Sequence, residues 1–231
     1  MTSRFTKSLF TTFLALLILA WAAYALDFPK WFPFDQENAL DEWQEKIFKD
    51  KVLYVVETTP QEGHLSAQSH EACSGLLYKM KLDVHKYPLI SWSWMVSQFP
   101  AKTIEEPEKG GWIEKDDYAA RVYIIFSSWN VFNTKSLEYI WDEEQPVGTV
   151  LTSPFFENIK LIVVESGKDN LNNWVAENRN IYEDYKLAFG SPPPRYAQAI
   201  ALMTDSDNTL STAEAYYKDL KVGYTDESSE Q

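Results

Sequence analysis

The sequence has few of the residues on which several common protein classes depend. It contains one cysteine, Cys73, so no disulfide can form within the chain, and cysteine-rich metal sites are excluded. Only eight of its 231 residues are glycine, and none forms a phosphate-binding loop, which argues against a nucleotide cofactor. The three histidines lack zinc-site spacing, and no His-Glu-x-x-His or Gly-x-Ser-x-Gly sequence occurs. No cofactor is predicted.

Positive charge is also scarce. The chain has 21 Lys and Arg against 34 Asp and Glu, which gives a net charge of -13. An acidic protein has no electrostatic attraction for phosphate backbones or anionic lipid headgroups. We therefore predict that nucleic acid is not a partner, and that any contact with a membrane is made through the N-terminal segment.

That segment has the pattern of a secretory signal. Arg4 and Lys7 precede an uncharged apolar run over 9–23, and Ala23 and Ala25 supply the small residues that a signal peptidase requires. Residues 1–25 are predicted to be a signal peptide or, if uncleaved, a membrane anchor, since the run is close to the shortest length that spans a bilayer. The protein is accordingly predicted to be periplasmic or secreted, or anchored in the inner membrane.

The rest of the chain divides into an N-terminal extension (26–47), a β-sandwich domain (48–224) and a flexible acidic tail (225–231). With 45% hydrophobic residues the chain can bury a sizeable core. Short β-branched and aromatic runs separated by turn residues predict a mainly β fold, a two-sheet antiparallel β-sandwich of the jelly-roll type. The predicted strands are 52–57, 74–82, 89–96, 119–127, 159–165, 197–204 and 215–222.

One segment has helical periodicity. Apolar residues recur at three- and four-residue spacing over about 171–189, which predicts one amphipathic helix. Asn170 is placed to cap its start, and Gly190, followed by three prolines, ends it.

Several separated segments together resemble a known family. They are Tyr87-Pro-Leu-Ile-Ser-Trp-Ser-Trp94, Asp116-Asp-Tyr-Ala-Ala-Arg-Val-Tyr123, Tyr139-Ile-Trp141 with Pro146-Val-Gly-Thr149, Asn178-Arg-Asn180 with Glu183-Asp-Tyr185, and the run from Ala201 to Thr209. Over about 48–222 the chain resembles the bacterial family known as domain of unknown function 3047. The resemblance implies an exported bacterial protein, and it implies no activity, because none is established for the family.

Asp117, Arg121 and Tyr123 form the first candidate ligand-binding group. If the strand already alternates at Tyr118, these three side chains lie on the same face. An arginine beside a carboxylate on a sheet is either an internal ion pair or a fork that receives a sugar hydroxyl or a ligand carboxylate. The sequence leaves both interpretations open.

Asp205, Asp207 and Asn208 form the second candidate group, in a loop that follows an apolar strand. Carboxylate and amide oxygens suit Ca²⁺, but the glycine and glutamate of an EF-hand loop are missing, so no metal site is predicted and Ca²⁺ stays an alternative. The same side chains can bond their own backbone in a turn, or can bind the hydroxyls of a polyol.

Aromatic residues are abundant, with nine Trp and 13 Tyr. Trp92 and Trp94 share a strand face with Ile90 and Val96 and are predicted to lie in the core. Trp112 and Trp129 lie in or beside loops and are the candidate platforms on which a sugar ring stacks.

These features favour an exported module that binds a carbohydrate or another cell-envelope ligand. One alternative is a hydrolase or lyase acting on glycans, with Asp117, Arg121 and the loop containing Asp205 and Asp207, since glycoside hydrolysis needs two carboxyl groups beside one bond. Another alternative is a structural partner in an envelope complex, with the acidic surface and the loop over 100–115 as its contact. Whether the protein is an enzyme is left open.

Overall fold

The described residues form two β-sheets and one helix. A computed structural model of the chain describes residues 28–60, 62–102, 116–128 and 133–225. In these residues the elements are β1 (Lys30–Phe32), β2 (Gln44–Ile47), β3 (Leu53–Thr58), β4 (Gly63–His70), β5 (Cys73–Asp83), β6 (Leu89–Gln98), β7 (Arg121–Phe126), β8 (Lys135–Asp142), β9 (Val150–Thr152), β10 (Ile159–Ser166), β11 (Val175–Asn180), α1 (Ile181–Phe189), β12 (Tyr196–Asp205) and β13 (Thr212–Tyr224).

The two sheets pack as a sandwich, as predicted. A six-stranded sheet has the order β11-β6-β13-β4-β3, with β1 also paired to β13, and a seven-stranded sheet has the order β2-β5-β12-β7-β8-β10-β9. Among the described strands every pair is antiparallel except β8 and β10, which run parallel. Each of the seven strands predicted from the sequence corresponds to a strand of the structure.

Aromatic side chains join the two sheets. Trp92 and Trp94 of β6 are at most 2% exposed, and their ring centroids lie 5.3 Å from Tyr139 and 6.1 Å from Trp141 of β8, respectively. Buried rings of this size remove much apolar surface from water, and tilted pairs add to that stabilisation. The core prediction for Trp92 and Trp94 is therefore confirmed, and the core accounts for much of the aromatic content.

The helix begins ten residues later than predicted. Val175–Asn180 forms β11 and pairs with β6, because an extended segment there completes the edge of the six-stranded sheet. Asn180, not Asn170, caps the helix, since its side chain accepts a hydrogen bond from the backbone N–H of Glu183 at 3.1 Å. The predicted end is confirmed, because Gly190 adopts φ 68° and its N–H bonds to the Lys186 carbonyl.

The segment predicted to be an N-terminal extension contributes a strand to each sheet. β1 pairs with β13 and β2 pairs with β5, and Phe32, Phe34 and Trp43 are buried in the core. Residues 1–25 and 226–231 lie outside the described residues, as do 103–115. Within the described part of the chain, no helix has the length and hydrophobicity required to cross a bilayer.

Candidate functional site

A row of polar residues crosses the outer face of the seven-stranded sheet, the face that points away from the six-stranded sheet. Strand register builds this row, because Asp205 pairs with Cys73 on β5, Met203 pairs with Arg121 on β7, and Tyr123 pairs with Glu138 on β8. Residues that are direct partners project to the same face. The sheet therefore places a guanidinium, two carboxyl groups, a phenol and a thiol side by side.

Arg121 is at the centre of this row and is only 3% exposed. Nε and Nη2 donate to the two carboxylate oxygens of Asp205 at 3.0 and 2.7 Å. Nη1 donates to Tyr123 Oη and to Glu138 Oε2, both at 3.2 Å, and Nη2 also donates to the backbone carbonyl of Asp116. All five N–H donors of a guanidinium are thereby used. Of the two sequence interpretations, the structure favours the internal ion pair, because no donor is left for a ligand.

Asp117 does not share the environment of Arg121, contrary to the alternation argument. β7 starts only at Arg121, so the parity of a strand does not extend back to residue 117. The Asp117 carboxylate instead accepts from Asn208 Nδ2 at 2.9 Å and from both the backbone N–H and the Oγ1 of Thr209 at 2.7 Å. Asp117 therefore holds the loop that follows β12, and it is not free to bind a ligand.

Asp116 and Glu138 are the acidic neighbours of Arg121 that the sequence analysis did not select. Asp116 Oδ1 lies 3.9 Å from Arg121 Nη1. Burial raises the pKa of Asp116 to about 6 and that of Glu138 to about 8, while Arg121 opposes both shifts. Burial likewise raises the pKa of Asp205 against the attraction of Arg121. Buried carboxyl groups with such shifts beside a cleft mark a candidate functional site.

A cavity of about 140 Å³ opens at this row, which is roughly ten times the space that one water molecule needs. Its charged lining consists of three carboxyl groups, Asp116, Asp205 and Asp207, with the guanidinium of Arg121 behind them and Lys49 at the surface. The remaining lining residues are Phe48, Cys73, Phe155, Met203 and Asn208.

A smaller, mainly apolar cavity lies beside the first. It has a volume of about 20 Å³ and shares Phe48 and Met203 with the polar cavity. Tyr123 lines this smaller cavity, and its hydroxyl lies 3.2 Å from the sulfur of Met203. The outer face thus offers a polar pocket at the end of β12 and an apolar hollow next to it.

The only cluster of possible metal ligands in the described residues is Cys73, Asp205 and Asp207, whose ligand atoms lie within 4.8 Å of one another. Both oxygens of Asp205 already bind Arg121, and a guanidinium at that position repels a cation. Burial raises the pKa of the Cys73 thiol well above its usual value, so the metal-binding thiolate is disfavoured. The hydrogen bonds from Asn208 and Thr209 to Asp117 match the turn of side-chain hydrogen bonds that the sequence offered as the other interpretation of this loop. Ca²⁺ stays an untested alternative.

The sequence-predicted site residues thus separate into three sets. Arg121, Tyr123 and Asp205 form the buried row, and Asp207 and Asn208 line the cavity beside it. Asp117 supports the loop. Trp112 and Trp129 lie outside the described residues, so their role as stacking platforms stays a prediction. Glu138 was missed because the sequence analysis predicted no strand over β8, although Ser136 and Glu138 alternate there with Leu137 and Tyr139.

Comparison with known proteins gives a family but no activity. Residues 41–221 match the family model described as "Protein of unknown function (DUF3047)". A search of curated proteins found no match.

Solved structures similar to this chain include a carbohydrate-binding module, a cellulase and an adhesin domain. A family 11 carbohydrate-binding module of a Clostridium thermocellum cellulase aligns with 10% identity and a TM-score of 0.46, over 87% of this chain and 97% of its own. A Cel12A cellulase derived from Rhodothermus marinus aligns with 11% identity and a TM-score of 0.44, over 78% and 94%. The K1 adhesin domain of Lys-gingipain from Porphyromonas gingivalis aligns with 11% identity and a TM-score of 0.42, over 86% and 99%. With every TM-score below 0.5, none of them assigns a function.

Proposed function

The chain belongs to the DUF3047 family of proteins of unknown function, and we propose from its own geometry that it is a carbohydrate-binding module. The observation that carries this proposal is the cavity at the end of β12, where the carboxyl groups of Asp116 and Asp207 and the amide of Asn208 converge. Binding sites of this kind combine a few fixed polar groups with an apolar lining. Here Phe48 and Phe155 supply the apolar part.

The chemistry of the lining indicates which ligand groups fit. Carboxylates accept hydrogen bonds, so the ligand must supply donors, and sugar hydroxyls do so. Arg121 has no free N–H, which argues against a ligand held through a carboxylate or phosphate. The hydrogen bonds of Arg121 hold the buried side chains beside the cavity in place. A site that is preorganised in this way loses less entropy when a ligand binds.

Asn208 and Asp207 are the residues best placed to select a hydroxylated ligand. Asn208 Nδ2 donates to Asp117 at 2.9 Å, which fixes the orientation of the amide, and the Asp207 backbone carbonyl receives Lys49 Nζ at 3.2 Å. Both side chains are only partly buried, so a ligand in the cavity reaches them.

The test is a titration of the protein with neutral, amino and acidic oligosaccharides, followed by thermal shift and calorimetry. We expect at least one neutral or amino sugar to bind, with an affinity that falls about fivefold or more for Asn208→Ala, because a buried polar group left without its hydrogen-bond partner costs roughly 1–3 kcal/mol. The matched control is Asn38→Ala, since Asn38 is exposed and is not among the residues that line the cavity. Absence of binding to every sugar in the panel contradicts the proposal.

A glycan hydrolase is the second candidate, favoured by one observation. The pKa of Asp116 is raised by burial to about 6, which suits a general acid, and Asp207 lines the same cavity as a second carboxyl group. Asp117, which the sequence analysis assigned to this role, is occupied by the loop. Release of product by the unaltered protein that is lost in Asp116→Asn supports this candidate, and no release by either excludes it for the sugars tested.

We also propose that the protein acts outside the cytoplasm, on the signal pattern of residues 1–25. Cleavage after Ala25 leaves a mature chain that begins at Leu26. Mass spectrometry of the protein recovered from the periplasm or medium tests this, and an intact N-terminus in a membrane fraction would indicate the anchor instead.

A further inference from the structure

Asp116 has an unusual position for a carboxyl group. It is 6% exposed and lines the cavity, yet no hydrogen bond to its side-chain oxygens is formed among the described residues. Within the described ranges its one ion pair, with Arg121 Nη1, is 3.9 Å long, which is too far for a hydrogen bond. Buried carboxyl groups nearly always have donors, and because Asp116 lines the cavity, the place for such donors is the cavity itself, where either water or a ligand supplies them.

The cavity also has more negative than positive charge at close range. Arg121 binds Asp205 through two hydrogen bonds, so that pair is balanced. Lys49 Nζ bonds to the backbone carbonyl of Asp207, not to a carboxylate. Among the described residues, the oxygens of Asp116 and Asp207 therefore accept no hydrogen bond from a cation: Arg121 Nη1 stays 3.9 Å from Asp116, and the side-chain donor to Asp207 Oδ1 is the neutral amide of Asn208 at 3.5 Å.

We propose that the sugar bound in this cavity carries a free primary amine, whose ammonium group is received by Asp116 together with Asp207. The inference rests on the proposed function and names its ligand class. An ammonium supplies three donors and one positive charge, and it thereby satisfies both the missing hydrogen bonds and the missing charge. A neutral sugar satisfies only the first, and a sugar acid, although its hydroxyls also donate, adds a further negative charge beside the carboxyl groups.

Protonation of the free protein gives this proposal a distinctive signature. Several charged groups surround Asp116 and set its titration: Arg121 on β7, Asp205 and Asp207 at the end of β12, Glu138 on β8, the adjacent Asp117, and Lys102. Because Asp116 with a pKa of about 6 is protonated in part near neutral pH, an ammonium that binds its ionised form must displace a proton. Affinity then rises as the pH increases from about 5 to about 7, by at most roughly tenfold per pH unit.

The experiment is calorimetry of the full chain with four probes: the β-1,4-linked disaccharide of glucosamine, its N-acetylated form, cellobiose, and spermidine. We expect the amino disaccharide to bind about tenfold or more tightly than the other three, which corresponds to one charged hydrogen bond. We also expect proton release near pH 6, measured as a dependence of the binding heat on the ionisation heat of the buffer.

Matched variants separate Asp116 from the general acidity of the protein. Asp116→Asn should reduce the preference for the amino sugar to less than about threefold and abolish the proton release, whereas Asp41→Asn, which removes the same charge from an exposed turn, should change neither. If Asp116→Asn does not fold, Asp207→Asn and the proton release of the unaltered protein decide the question.

The outcomes distinguish this inference from the function on which it rests. Equal affinity for cellobiose and the amino disaccharide overturns the inference and leaves a sugar-binding module. Equal affinity for spermidine and the amino disaccharide also overturns it, because the site would then recognise amines without recognising sugars. No binding of either neutral or amino sugars contradicts the proposed function itself.

Discussion

Replacing Arg121 with methionine should destabilise the protein more than replacing any exposed arginine. The substitution keeps much of the apolar stem but removes the five N–H donors that bind Asp205, Glu138, Tyr123 and the Asp116 carbonyl. Asp205 is 2% exposed, so it is left as a buried carboxylate without its counterion. Breaking a buried ion pair from one side costs about 3–5 kcal/mol, a large fraction of the roughly 5–15 kcal/mol that stabilises a typical domain.

The assay is urea unfolding of Arg121→Met beside a matched control, Arg195→Met. Arg195 pairs with a single carboxylate, that of Asp83 at 2.8 Å, and its side chain is 66% exposed. Exposed ion pairs contribute little to stability. We expect the control to change the unfolding free energy far less.

Two further measurements locate the cause of the loss. In Arg121→Met the penalty should shrink at acidic pH, because Asp205 escapes the unpaired charge by taking up a proton. The double variant Arg121→Met with Asp205→Leu should recover much of the loss, since apolar side chains often replace a buried ion pair without cost. An Arg121→Met variant as stable as Arg195→Met refutes the reasoning.

Three other predictions concern the same site and the helix. The pKa of Glu138 is raised in the folded protein from 4.5 to about 8, so between these pH values the folded state binds one proton more than the unfolded state. The free energy of unfolding should therefore fall as the pH rises from about 4.5 to about 8, and in Glu138→Gln this fall, measured by unfolding at several pH values, should be shallower. Asp117→Ala should cost about 1–3 kcal/mol in urea unfolding, because Thr209 loses its acceptor. Asn180→Ala should cost about 1 kcal/mol, through loss of the helix cap, and an unchanged midpoint in either variant contradicts its assigned role.

The strands are predictable where an apolar face alternates with a different one. In β6, Ile90, Trp92, Trp94 and Val96 face the core and the serines between them do not, so the period of two is visible in the sequence. β4 is harder to predict because Ser66, Ala67 and Ser69 are all buried, and small residues give no contrast between the faces. The predicted helix fails at its start because the spacing of apolar residues over 171–180 fits two geometries, and only pairing with β6 selects the strand.

The candidate site is predictable in part. The sequence identifies Arg121 and Asp205 as chemically interesting, and the structure brings them together through the pairing of β7 with β12. The sequence alone cannot identify which aspartate of the Asp116-Asp117 pair accompanies Arg121. Both residues precede β7, so the alternation of a strand does not determine where their side chains point. Asp116 faces the cavity and Asp117 binds the loop at Thr209, a division that depends on tertiary contacts.

A crystal structure of the protein soaked with the glucosamine disaccharide tests the central claim most directly. The account predicts that the sugar lies in the cavity at the end of β12, with its amine within hydrogen-bonding distance of Asp116 and a hydroxyl in contact with Asn208. A sugar bound elsewhere, or an unliganded cavity at a concentration where calorimetry shows binding, would contradict it.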